Sequence, residues 1–127
     1  MSSERNKALI RKVNDALNRK DLTILDEFMA PDYVDHTNQL RGKEDARQMY
    51  IGLFKDMPDF HRTIEDIITE GDKVWTLFKT TGTPPTGKKI ELTTVSILRF
   101  VNGKAVEGWT VPRVTGQNRL IDHAFYE

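Results

Sequence analysis

Two stretches of the sequence hold the side chains that could move protons. Asp35 and His36 are adjacent in the first half of the chain, and Glu107 stands near its C-terminal end. A carboxylate and an imidazole, whose ordinary pKa is about 6.5, are common general acids and bases at neutral pH. The candidate catalytic residues are therefore His36, Asp35 and Glu107, and His36 is the leading candidate for proton transfer.

The second stretch places polar and aromatic residues on one side of a strand. Glu107, Trp109, Val111 and Arg113 follow one another at intervals of two residues, so they share one strand face. An acid and a guanidinium are costly in a plain core because a buried charge needs a partner. This face is therefore either one wall of a polar, aromatic cavity or an exposed sheet face, solvated or covered in a dimer.

Several residues could shape a binding site around these groups. Trp109 could stack on a flat ligand or simply fill the core, and Arg113 could bind a carboxylate or enolate, or form a surface or dimer salt bridge. Glu107 and Arg113 are six residues apart, roughly 20 Å along a strand, so they cannot pair directly. The candidate substrate-binding residues are Tyr33, Tyr50, Phe54, Trp75, Trp109 and Arg113.

Hydrophobic periodicity predicts three helices in the first half of the chain. They cover Glu4–Arg19, a segment from Asp21 to just before Pro31, and a segment from Lys43 to about Met57. Tyr33–His36 is predicted to be a short strand or an extended segment, and Asn38–Gly42 is predicted to be a loop. Successive strand residues point to opposite faces, so Asp35 and His36 cannot both face one pocket if this strand is regular.

The second half of the chain has the period of β-strands. Strands are predicted over Phe60–Glu70 and Val74–Thr83, followed by a hairpin over Ile90–Val114 that turns at Asn102-Gly103. For Asn118–Glu127, helix, strand and disorder all remain open. Helices followed by strands indicate an α+β fold, in which a curved, mostly antiparallel sheet and a helix layer enclose a cavity for a small ligand.

Composition bounds the class of protein. The 127 residues suffice for one domain with a modest core, and the formal net charge of zero argues against a nucleic-acid partner. No apolar run reaches the length of a membrane span, and the first residues do not resemble a signal peptide. We therefore expect a cytoplasmic protein with no membrane partner.

The sequence offers no metal or cofactor motif. There is no cysteine, which excludes a disulfide framework and a thiolate site. His36, His61 and His123 lack the spacing of metal ligands, and no phosphate-binding glycine loop is found. We therefore expect neither a metal nor a cofactor.

Seven short segments carry a resemblance to a known family, and together they span nearly the whole chain. They are Arg19–Leu22, Phe28–His36, Met57–Phe60, Glu65–Val74, Thr81–Thr83, Pro85–Lys89 and Arg99–Trp109. In this order and spacing they resemble the SnoaL-like polyketide cyclases of the nuclear-transport-factor-2-like superfamily. The resemblance implies a single domain over residues 1–127.

The resemblance also implies an architecture and a chemistry. The expected fold is a cone in which three N-terminal helices pack on a curved, mostly antiparallel sheet with a deep pocket, and sheet faces pair in a homodimer. The expected reaction is cofactor-free acid–base chemistry, aldol cyclisation or a related step, on a small hydrophobic carbonyl compound. The family's acid–base residue near the end of the last strand aligns with Arg113, which stays protonated and cannot take a proton from carbon.

Other members of the superfamily leave alternatives open. The general base of the related ketosteroid isomerases aligns with His36, whereas their oxyanion-holding tyrosine aligns with Val13, which has no donor. A non-catalytic module that binds a small ligand or dimerises on the same fold is the main alternative to an enzyme. A hydrolase that opens a strained ether with two acids and an arginine is a weaker third possibility.

Overall fold

The computed structural model describes residues 2–114, with side chains described for residues 3–111. The predicted tail Asn118–Glu127 and His123 lie outside the described residues. The elements are α1 (Ser2–Asn18), α2 (Ile24–Phe28), β1 (Met29–Asp35), β2 (Leu40–Arg41), α3 (Lys43–Asp56), β3 (His61–Glu70), β4 (Lys73–Gly82), β5 (Ile90–Val101) and β6 (Lys104–Val114).

The strands form one six-stranded sheet in the order β2-β1-β6-β5-β4-β3. The β1–β6 pair is parallel and the other pairs are antiparallel. The α+β class and the curved, mostly antiparallel sheet predicted from the sequence are therefore confirmed.

The prediction of three N-terminal helices needs correction. Residues 2–114 form three helices, but only α1 (17 residues) and α3 (14 residues) are long. Helix α2 has 5 residues, and β1 and β2 separate it from α3. Met29 and Ala30 begin β1 instead of extending a helix to Pro31, because proline favours an extended residue before it. Pro31 is tolerated since it falls in the irregular part of the β1–β6 pairing, between Met29 and Val34.

The helices cover one face of the sheet, which we call the inner face. In β4, Val74, Thr76 and Phe78 are buried, whereas Trp75 between them is 41% exposed on the opposite, outer face. The periodicity predicts an apolar stripe of Leu9, Ile10, Val13, Ala16 and Leu17 on α1. Ile10, Val13, Ala16 and Leu17 are buried in the same core as Val74 and Phe78, and Leu9 is partly buried against it.

Two β-bulges decide which residues reach the inner face. In β3, Ile64 pairs with Phe78 but Asp66 pairs with Leu77, so Glu65 is the extra residue. In β6, Ala105 pairs with Phe100 but Glu107 pairs with Arg99, so Val106 is the extra residue. After this second bulge Gly108 lies opposite the buried Leu98, on the inner face, and the side chains of its neighbours Glu107 and Trp109 point outward.

The β5–β6 hairpin turns where the sequence predicts it. Asn102 and Gly103 join the strands with φ values of 52° and 81°. A two-residue turn of type I′ needs φ > 0 at both positions, and asparagine followed by glycine adopts it at low cost. The hairpin prediction is therefore confirmed.

Gly108 is the point at which Tyr33 packs most closely on β6. A Cβ at position 108 would overlap the Tyr33 hydroxyl oxygen and lie 2.7 Å from Leu98 Cδ2. We expect Gly108→Ala to lower the free energy of unfolding, measured in urea, by roughly 1–3 kcal/mol. Gly52→Ala is the control, because a Cβ there meets nothing within 4 Å, and it should raise that free energy by roughly 0.5–1 kcal/mol. Equal effects of the two substitutions would contradict this packing.

Candidate functional site

A cavity of about 200 Å³ lies between the inner face of the sheet and helices α1 and α3. One part of its lining is apolar and includes Ile10, Val13, Phe28, Met29, Phe78 and Leu98. The polar part includes Tyr33, Asp35, Asn38, Arg62 and a row of hydroxyl groups on Thr80, Thr94, Ser96 and Thr110. An apolar hollow with a few converging polar groups is the usual form of a small-molecule site.

Strand β1 separates the two residues that the sequence analysis paired. Tyr33 and Asp35 are 4% and 7% exposed and line the cavity. His36 follows them with its side chain 42% exposed, on the outer face against Trp109. The prediction that Asp35 and His36 face opposite sides is confirmed. The strand alternation brings Asp35 into the cavity and leaves His36, the leading candidate for proton transfer, outside it.

The Asp35 carboxylate is held rigidly at the end of β1. Its Oδ1 accepts hydrogen bonds from the backbone N–H groups of Thr37 (3.0 Å) and Asn38 (2.9 Å), and its Oδ2 accepts one from Asn38 Nδ2 (3.2 Å). A carboxylate has about four acceptor positions, so one remains on Oδ2. The group is fixed in place and can still accept a proton or a hydrogen bond from a ligand.

Tyr33 supplies a hydroxyl beside this carboxylate. The Tyr33 side chain is 4% exposed and lines the cavity. Burial, and then the charge of Asp35 and the neighbouring Tyr50, raise the pKa of the Tyr33 phenol well above its ordinary value of 10. The phenol is therefore a proton-bearing donor at neutral pH.

The other predicted aromatic residues divide between the two sides of the sheet. Tyr50 lines the cavity, but Phe54 packs edge-on against Phe60, with ring centroids 5.5 Å apart, and stands outside the lining. Trp75 lies on the outer face, because β4 alternation points it away from the helices. Of the residues predicted to bind substrate, Phe54 and Trp75 are therefore outside the lining of this cavity.

Glu107, Trp109 and His36 do come together, but on the outer face. His36 Nε2 lies 2.9 Å from Glu107 Oε2, and the imidazole stacks on the Trp109 ring with centroids 4.9 Å apart. Arg99, opposite Glu107 on β5, donates from Nε to Glu107 Oε1 at 2.7 Å. The hypothesis that this face forms a wall of the cavity is wrong, and the alternative of an exposed sheet face is confirmed. The backbone of Arg113 pairs with Thr93, and its side chain lies outside the described ones.

Arg62 is a cavity residue that the sequence analysis missed. It lies on β3, its guanidinium carbon is 3.9 Å from the centroid of the Phe78 ring, and its Nε donates to Asn14 Oδ1 at 2.9 Å. The available signal was the pair of asparagines at positions 14 and 18, which interrupt the apolar stripe of α1. A polar residue on a buried helix face implies a polar partner across the core.

The described part of the chain has neither a metal-binding cluster nor a membrane-spanning helix. No group of three or more histidine, cysteine or acidic residues among those described could hold a metal ion. None of the described helices combines the length and the apolar character needed to cross a membrane.

Comparison with known proteins identifies both the fold and the family of this chain. The six-stranded sheet and its helices match the nuclear-transport-factor-2-like fold. The sequence matches the family model of the SnoaL-like polyketide cyclases over residues 7–119, and the chain belongs to this family.

Solved structures of related proteins agree with that assignment. AclR from Streptomyces galilaeus, provisionally described as a hydroxylase, is 31% identical with a TM-score of 0.78 over 91% of this chain and 82% of its own. IdmH from Streptomyces antibioticus, provisionally described as a polyketide cyclase, is 29% identical with a TM-score of 0.73 over 84% of this chain and 91% of its own. No curated protein matches the sequence.

The contacts of Glu107 with His36 and Arg99 on the outer face should make the stability of the protein depend on pH in the acid range. Hydrogen bonds from His36 and Arg99 lower the pKa of the Glu107 carboxyl from its ordinary value of 4.5. A lowered pKa in the folded state contributes stability above about pH 4.5, and this contribution is lost as the pH falls through the folded-state pKa. We expect Glu107→Gln to reduce the decline in the free energy of unfolding on the acid side, measured by urea titrations at a series of pH values.

The matched control is Glu70→Gln, which removes an exposed carboxylate at the end of β3. It should leave the acid-side decline unchanged. A decline as steep in Glu107→Gln as in the unsubstituted protein would contradict the role given to the ion pairs.

Proposed function

We propose that this protein is an enzyme of the SnoaL-like polyketide cyclase type. It carries out cofactor-free acid–base chemistry, aldol cyclisation or a related enolisation, on a small hydrophobic carbonyl compound bound in the cavity. One observation carries the proposal: a buried carboxylate, Asp35, and a buried protonated phenol, Tyr33, lie on the same face of β1 and line one largely apolar cavity.

The first step is removal of a proton from the carbon next to a carbonyl group. Asp35 accepts this proton on Oδ2, where an acceptor position is available. The Tyr33 hydroxyl donates a hydrogen bond to the carbonyl oxygen as it becomes an enolate. The two residues are spaced by two positions, about 6.6 Å along the strand, so their side chains flank a carbonyl and its neighbouring carbon.

The second step joins the enolate carbon to another carbonyl carbon of the same molecule. One C–H bond breaks and one C–C bond forms, and the proton held by Asp35 returns to the new alkoxide oxygen. The hydroxyl groups of Thr94, Ser96 and Thr110 line the cavity and can bind the second carbonyl before attack. The apolar wall holds the carbon chain folded and excludes water.

Asp35 takes the part that the family resemblance assigned to other positions. Arg113 occupies the expected acid–base position and cannot serve as a base. His36 aligns with the isomerase base, but the inner-face residue is its predecessor, Asp35. In this proposal the base is therefore on β1 and the last strand contributes Thr110.

The main alternative is a non-catalytic module that binds a small ligand in the same cavity. The arginine at position 113 favours it, because that substitution removes the family's usual base. The enzyme would transfer protons to and from a bound carbonyl compound, whereas the binding module would not.

Exchange of the α-protons of 2-tetralone in D₂O, followed by NMR, tests the proposed chemistry without knowledge of the natural substrate. We expect the protein to catalyse this exchange and Asp35→Asn to slow it roughly 10²–10⁴-fold, because the substitution removes the base. Tyr33→Phe should slow it by roughly tenfold or more, through loss of the hydrogen bond to the enolate.

His36→Asn is the matched control, because it changes a titratable side chain on the outer face and should leave the exchange rate unchanged. A rate that survives Asp35→Asn, or one that depends on His36, would contradict the assignment of the base. Absence of any exchange in the unsubstituted protein would favour the binding module.

We also propose that the outer face is where two copies of the chain pair. Apolar side chains are exposed there, including Ile68 (58%), Trp75 (41%) and Val111 (58%). Trp75, Ile97 and Trp109 lie in register across three neighbouring strands, which makes the patch continuous. Covering such a patch stabilises a dimer by the hydrophobic effect.

Sedimentation equilibrium tests this pairing. We expect a species of twice the 14.6 kDa chain mass and a shift to the monomer in Val111→Asp, which places a charge in the patch. Ile51→Asp is the control, since Ile51 is 45% exposed on α3, away from the sheet. A monomeric unsubstituted protein, or dissociation caused equally by both substitutions, would contradict the proposal.

A further inference from the structure

Arg62 is held in position by an unusual number of contacts. Its backbone N–H donates to Asn18 Oδ1 at 2.8 Å, and its carbonyl oxygen accepts from Asn14 Nδ2 (2.9 Å) and Asn18 Nδ2 (2.8 Å). Its side-chain Nε donates to Asn14 Oδ1, and the guanidinium lies over Phe78. Both the backbone and the side chain are therefore fixed before any ligand binds.

The terminal nitrogens of this guanidinium are left available. The four N–H groups of Nη1 and Nη2 make no hydrogen bond to the residues that the structure describes, and no carboxylate oxygen among those residues lies within 4 Å of them. A guanidinium keeps its charge at neutral pH, and its fork of donors matches the two oxygens of a carboxylate. A partly buried charge without a counter-ion is costly, so the site favours a ligand that supplies one.

Arg62 and Asp35 lie on different strands of the cavity wall, so the lining carries its positive and negative groups in different places. Asp35 is on β1 and Arg62 on β3, and β6, β5 and β4 lie between these two strands in the sheet. Thr80 lies directly opposite Arg62 on β4 and is buried, with its side chain in the cavity lining. The β3–β4 part of the lining therefore carries a cation with a hydroxyl beside it, and the β1 part carries the carboxylate and the phenol.

We infer that the ligand of this cavity is a carboxylate-bearing carbonyl compound, a keto acid, whose carboxylate is bound by Arg62 and the Thr80 hydroxyl. Its apolar body lies along Phe78, and the reacting carbonyl is at the β1 part of the lining, beside Tyr33 and Asp35. The location of the carbonyl rests on the proposed function, whereas the binding of the carboxylate does not require turnover. Separation of the two like charges, the ligand carboxylate and Asp35, fixes the orientation of the ligand.

A pair of matched probes tests the inference by calorimetry. 2-Naphthoate and 2-naphthamide have the same ring system and nearly the same size, and they differ in charge. We expect the unsubstituted protein to bind 2-naphthoate about tenfold or more tightly than 2-naphthamide, since a charge-assisted, two-pronged hydrogen bond forms only with the carboxylate. Arg62→Met should abolish this preference, and Arg62→Lys should retain part of it because the charge remains without the fork.

Arg19→Met is the control for loss of one positive charge, because Arg19 is exposed just after the end of α1. It should leave the preference intact. Urea unfolding of each variant establishes whether it is folded. If Arg62→Met does not fold, the inference is tested by the ratio of the affinities for 2-naphthoate and 2-naphthamide in the unsubstituted protein and in Arg62→Lys.

Equal affinity for both probes, binding of neither probe, or a preference that persists in folded Arg62→Met would overturn the inference. 2-Tetralone carries no carboxylate, so its proton exchange reports on Asp35 alone. Failure of carboxylate recognition and failure of the proposed chemistry are therefore seen in separate experiments.

Discussion

The parallel pairing of β1 with β6 decides which side chains of this protein can meet a ligand. It places Val34 beside Glu107 and Asp35 beside Gly108, so that alternate residues of β1 point into the cavity and out of it. Because Gly108 has no side chain, Tyr33 can pack against the backbone of β6 at this position on the inner face. A slip of one residue in this register would bring His36 inside and turn Asp35 outward.

The two faces of the sheet suit different tasks. On the inner face few groups are charged, and burial keeps Tyr33 protonated while the turn after β1 fixes Asp35. On the outer face the ion pair of Glu107 with Arg99 and its contact with His36 are partly exposed, and pairs in such positions contribute little to stability. The conspicuous cluster of charged and aromatic residues is therefore the one less suited to chemistry on an apolar ligand.

The sequence predicts local structure well and the assignment of faces poorly. The Asn102-Gly103 turn and the apolar stripe of α1 depend on neighbours in sequence, and both were predicted. The bulges at Glu65 and Val106 are not signalled by any residue pattern in the sequence, yet each sets the face of the residues that follow it in its own strand. The grouping of Glu107 with Trp109 was predicted, but their side of the sheet depended on the bulge at Val106 and on long-range pairing. Arg62 was missed because its partners, Asn14 and Asn18, are more than 40 residues away.

The central claim is that the hollow beside Asp35 and Tyr33, and not the outer cluster around His36, receives the ligand. A crystal structure of the protein grown with 2-tetralone tests it most directly. We expect density for the ligand between the sheet and α1, with its carbonyl oxygen within hydrogen-bonding distance of the Tyr33 hydroxyl. A hollow filled by repacked side chains, or a ligand bound only against Trp109, would contradict it.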